Sequence, residues 1–135
     1  MSSVVSPIKL VPSDRSEPRV NIVEKTDEEI LAMANSLWRG LVTYSNEGKY
    51  GEFVKNFSTS LALAMNHVVA GHQFAHSELA RNLSADFDSL GIIRRGEHVT
   101  VLYRQRSTKK QGEWLGRLVL GYEDAELKIF GASIF

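Results

Sequence analysis

The feature that most limits what this chain can become is its last third. Three runs rich in β-branched and aromatic residues, at 99–106, 114–122 and 127–135, are divided by short polar joints. The first joint holds Thr108, Lys109, Lys110, Gln111 and Gly112, and the second Glu123, Asp124, Ala125 and Glu126. Strand-forming runs bounded by turn residues predict a meander of antiparallel hairpins. Phe87, Leu90, Ile92 and Ile93 add a strand before it, turned at residues 94–97, which makes four. A sheet must bury a face against another layer, so the residues before it are read as its cover.

That cover is helical. Thr26 and Glu29 stand at capping-box spacing, and Asp27 and Glu28 place negative charge at the positive end of a helix dipole. Ile30, Ala34, Leu37 and Leu41 then recur at helical spacing, flanked by Leu31, Trp38 and Val42, as far as a stop at Gly48. Tyr50, Phe53, Val54, Phe57, Leu61, Ala64 and Met65 share one helical stripe, predicting a second, continuous helix. The alternative is a short strand over 60–65, where Leu61, Leu63 and Met65 alternate. A third helix is expected from Gln73, with Phe74, Leu79, Ala80 and Leu83 inward, ending near Leu83 or Ser84. Helices first and a meander after them define an α+β domain over 26–135.

Residues 1–25 hold all three prolines, among serines and charges, and read as a flexible or loosely docked arm. Val20, Ile22 and Val23 offer the alternative of a short edge strand. Lysine plus arginine balance aspartate plus glutamate at 16 each, so no net charge draws the molecule to nucleic acid or a membrane. The absence of cysteine excludes disulfides, thiolate metal sites and a cysteine nucleophile. With no signal-peptide pattern at the start and no apolar stretch of spanning length, a cytoplasmic location is expected.

Trp38, Arg39, Gly40, Leu41 and Val42, followed by residues 46–58 with their Gly-containing joint and closing Phe57 and Ser58, resemble the opening of nuclear transport factor 2-like (cystatin-like, SnoaL-like) domains. Residues 90–96, 99–103, 115–120 and 130–135 are similar to the second half of small uncharacterised members of that superfamily. The resemblance implies a curved antiparallel sheet wrapped by helices into a cone, a pocket between the layers, and frequent dimerisation through the outer sheet face. It covers isomerases, dehydratases, hydrolases and binding or scaffolding domains alike. Enzymatic members carry an Asp-His or Tyr-Asp set in the cone. The strands at 99–106 and 114–122 contain neither Asp nor His.

Among candidate chemistries, His72 and His76 have the i, i+4 spacing of zinc hydrolases. The residue after the first histidine is Gln73, which cannot act as a general base, and no third ligand follows from spacing. No metal or other cofactor is therefore expected. Ser58, Ser77 and Ser84 lie in no nucleophile elbow. Arg94, Arg95, Arg104, Arg106, Lys109 and Lys110, with Arg117, form a basic cluster near Tyr103 and Trp114 that is able to take a single strand of nucleic acid. A solvated hairpin explains the same charges, and the neutral total favours that explanation. Trp38, Tyr103, Trp114 and Tyr122 are the aromatics available to line a pocket, the alternative being plain core.

These readings converge on a non-catalytic, dimeric domain that binds a small apolar molecule or another protein. The alternatives are a small enzyme of the isomerase, dehydratase or hydrolase kind, using Tyr103 with a helix-borne histidine, and a nucleic-acid accessory protein using the basic hairpin. Both faces of the sheet carry large apolar side chains, and the helices cover only one. A homodimer through the outer face is the expected remedy.

Overall fold

The computed structural model describes residues 21–64 and 77–135. It is an α+β arrangement of helices α1 (Asp27–Glu47), α2 (Tyr50–Val54) and α3 (Thr59–Ala64) against strands β1 (Leu83–Arg95), β2 (His98–Ser107), β3 (Trp114–Glu123) and β4 (Glu126–Ile134). The strands form one antiparallel sheet in the order β1-β2-β3-β4, as the meander pattern predicts. A two-residue turn joins β1 to β2, with Gly96 at φ 64°, and another joins β3 to β4 through Asp124 and Ala125, both at positive φ. No described helix is long and apolar enough to cross a membrane.

Helix α1 begins and ends where its sequence signals lie. Thr26 Oγ1 accepts from the Glu29 amide at 3.1 Å, and Glu29 Oε1 accepts from the Thr26 amide at 2.9 Å. Gly48 closes the helix in the left-handed conformation. Ile30, Ala34, Trp38, Leu41 and Val42 share a buried cluster with Val99, Val101, Tyr103, Leu118, Leu120 and Ile129 of the sheet. Strand β2 alternates strictly, with Val99, Val101, Tyr103 and Gln105 buried on the helix side and Thr100, Leu102, Arg104 and Arg106 on the outer side.

Three sequence expectations are corrected. The second helix is not continuous over 50–65. It breaks after Val54, because the Ser58 amide donates to the Ile129 carbonyl and the Ile129 amide to the Asn56 carbonyl, both at 2.8 Å. Edge strand β4 needs partners for its open backbone groups, and Phe57 enters a one-residue parallel bridge with Ile129. Helix α3 then restarts with its own cap: the Glu123 carboxylate accepts from the Thr59 amide at 2.9 Å and from its hydroxyl at 3.0 Å.

The third helix does not reach Leu83. Residues 78–81 are a turn, and Leu83 opens β1. The reason is Asn46, whose side chain behaves like a neighbouring strand: its Nδ2 donates to the Leu83 carbonyl at 2.8 Å, and its Oδ1 accepts from the Leu83 amide at 2.7 Å. In β4, strict alternation would place Ile129 and Ile134 on opposite faces. A register shift opposite Val119 and Leu120 puts both on the helix side, paired with Leu120 and Gly116.

Near the start, Ile22 is wholly buried in a 3-10 turn over Ile22–Glu24, not in an edge strand. Arg94 ties this segment to the sheet, donating to the carbonyls of Val23 and Lys25 and to Asp27 Oδ1 at 2.7 Å. The arm over 1–20, Val20, Met65, and the expected helix start with Gln73 and Phe74 lie outside the described residues.

Candidate functional site

A cavity of about 340 Å³ lies between the second half of α1 and the small residues of β4. Trp38, Leu41, Val42 and Ser45 form its helical wall, Phe53, Phe57 and Leu61 come from the broken second helix, Leu79 and Ala80 from the turn leading into β1, and Leu83 from the first position of β1. Ala132, Ser133 and Ile134 of β4 form the floor. No ionisable side chain stands among these described lining residues. Two serines pin the wall by holding both peptide groups of Ala80: the Ser45 hydroxyl donates to its carbonyl, and Ser77 Oγ accepts from its amide at 3.1 Å. Ser133 is turned away, for its Oγ accepts from Arg117 Nε at 3.3 Å, and both residues are on the outer parity of the sheet.

Behind the cavity lies a closed aromatic assembly. Trp38 stacks on Tyr103 with centroids 4.9 Å apart and planes 17° from parallel, and Phe87 meets Tyr103 edge-on. Trp38 Nε1 donates to Gln105 Oε1 at 2.8 Å, while Gln105 Nε2 donates to the Ser84 and Arg106 carbonyls. This buried amide therefore has every polar atom in use. Tyr103 donates to Asn35 Oδ1 at 2.8 Å, and burial pushes its phenol well above the ordinary tyrosine range. Glycine is required at 116: a Cβ there would stand 2.5 Å from Trp38 Cζ2 and 2.8 Å from Cη2. Sequence reading missed Gln105 and Gly116. Gln105 was legible, since it continues the buried parity of Val99, Val101 and Tyr103; Gly116 carried no signal short of the tryptophan's position.

Of the four aromatics named from sequence, Trp38 lines the cavity. Tyr103 is covered by the indole and reaches no solvent. Trp114 pairs with Gln105 and Tyr122 with Leu127, both half-buried and outside the cavity lining.

The basic cluster is largely neutralised in place. Arg104 and Arg106 share Asp88, at 3.5 and 2.9 Å, and Glu113, at 3.4 and 3.9 Å. The Arg106 hydrogen bond holds the Asp88 carboxyl below the usual carboxylate range. Arg94 is engaged with Asp27, and Lys110 stands 3.9 Å from Glu78. Arg95 and Lys109 are exposed. His72 and His76 lie outside the described residues; among those described, no group of three or more His, Asp or Glu is placed to hold a metal ion. Compared with known proteins, the chain matches no family model, no curated protein and no solved structure.

Proposed function

We propose that the protein is a non-catalytic binding domain of the nuclear transport factor 2-like kind, taking a small apolar molecule between α1 and the sheet. The observation that carries this reading is the cavity itself: about 340 Å³, with an apolar lining and no ionisable group among the described residues. That volume is within the range of small-molecule sites. General acid–base chemistry needs a titratable group within reach of a bound substrate. Tyr103, the sequence's one strand-borne candidate, is sealed behind Trp38 and its hydroxyl donates to Asn35 Oδ1. The nucleic-acid reading loses support because Arg94, Arg104 and Arg106 already face carboxylates.

The test is titration with N-phenyl-1-naphthylamine, a neutral probe that fluoresces in apolar surroundings. Saturable binding with energy transfer from Trp38, abolished in a folded Ala132→Phe variant, is the expected result. No saturable binding, or binding unchanged by filling the cavity, refutes the reading. Ile134→Trp serves if the first variant fails to fold.

The same reading includes a homodimer through the outer sheet face. Leu90, Ile93 and Leu115 are exposed large apolar residues, and Ile93, Leu102, Leu115 and Val119 share the outer parity. Light scattering at micromolar concentration is expected to return a dimer mass, and Ile93→Asp a monomer mass. A monomer mass for the unaltered chain removes the dimer, and a dimer that survives deletion of residues 1–20, which spares the buried Ile22, excludes the arm as the essential cover.

A further inference from the structure

We infer that the cavity selects a neutral, compact molecule of two to three rings carrying one hydroxyl group; this rests on the binding reading above. Three observations define the class. The first is size. An apolar cavity of about 150 Å³ accommodates one benzene, so about 340 Å³ corresponds to roughly two to three rings or a branched skeleton of similar bulk.

The second is charge. The described wall offers no cation to a carboxylate or phosphate and no anion to an amine. An ionic group entering the pocket sheds hydration and meets no charged partner among the described lining residues, which disfavours it against a neutral group. Arg117, the basic residue bonded to Ser133, is on the opposite face of the sheet.

The third is the hydrogen-bonding capacity left over after folding. The Ser45 proton is committed to the Ala80 carbonyl, so its oxygen retains only acceptor capacity. Ser77 Oγ already accepts from the Ala80 amide and retains its donor. A ligand hydroxyl can give its proton to Ser45 or accept that of Ser77. A ketone can only accept, from Ser77, and a hydrocarbon can do neither.

Displacement of N-phenyl-1-naphthylamine at neutral pH by naphthalene, 2-naphthol and 2-naphthoate tests the inference. These three share a skeleton and differ in the polar group. The expected order is 2-naphthol first, naphthalene weaker by about threefold or more, and 2-naphthoate weaker than 2-naphthol by at least about tenfold. The double change Ser45→Ala with Ser77→Ala is expected to remove the advantage of 2-naphthol over naphthalene, read as the ratio of the two in that one variant. Naphthoate displacing as well as naphthol overturns the claim of neutrality, and naphthalene doing so overturns the claim of a hydroxyl. If the probe binds in the cavity and none of the three displaces it, this inference falls alone. If the probe does not bind, the proposed function falls with it.

Discussion

Ile30 and Ala34, in the first half of α1, are wholly excluded from solvent, whereas Leu41, Val42 and Ser45, in the second half, are buried yet face a cavity. One apolar stripe runs through both halves. The difference lies in what stands opposite. Near the start of the helix the buried cluster includes Ile22, Val99, Val101, Leu118 and Leu120, all of them large and fully enclosed. Near its end the sheet presents Gly116 and Ala132 instead. Trp38 fills the space above Gly116, and among the described residues nothing equivalent fills the space beside Ala132. A helical stripe thus specifies that a face will be covered, and the size of the opposing side chains decides whether that cover is solid or hollow.

The largest effect expected is at the junction of the two halves. Trp38→Ala removes a ring stacked on Tyr103 and strips Gln105 of its donor. It should cost about 3–5 kcal/mol in denaturant unfolding. A loss under about 1 kcal/mol would mean that Trp38 belongs to the hollow half alone. Gly116→Ala drives a methyl into the same indole and should cost about 1–3 kcal/mol by overpacking. An unchanged midpoint there would show that the tryptophan has room to retreat into the cavity.

Tyr103→Phe sharpens the contrast with a smaller number. It deletes one hydrogen bond to Asn35, worth about 1 kcal/mol. The tyrosine's folded pKa is raised by burial above its ordinary value of 10.0. The folded state therefore keeps this proton while the unfolded state loses it. The associated stability is fully present below the unfolded value and is lost as pH rises from there toward the folded one. Unfolding measured across the alkaline range should show the wild type declining more steeply than Tyr103→Phe. Parallel curves would contradict a closed first half. The smallest effect is expected on the hollow side, where Leu61→Ala at the cavity wall should cost less than about 1 kcal/mol, since Leu61 is only half-buried and already borders empty space. A loss as large as that of Trp38→Ala would show that the cavity wall is packed core.

Much of this architecture was legible beforehand. The four strands, their order and their turns follow from alternation and turn residues, and α1 follows from its capping box, stripe and closing glycine. The candidate site was less legible. Its lining comes from α1, from the broken second helix, from a turn with the first residue of β1 and from the last strand, and no local pattern links those four pieces.

What local chemistry settles is settled by neighbours along the chain. Thr26 with Glu29 opens a helix, Gly48 closes it, and Val99, Val101, Tyr103 and Gln105 turn one face of β2 inward, each through interactions spanning a few residues. The tertiary structure decided the rest, wherever a backbone group's best partner lay far away in sequence. The expected second helix broke around Ser58 because the Ile129 carbonyl took its amide, and Leu83 left the expected third helix because Asn46 took both of its peptide groups. A bulge in β4 brought Ile129 and Ile134 to one side against the alternation of their own strand. In each case a buried or edge peptide group had to find a partner, and the cavity is the space left once those distant partners had been satisfied.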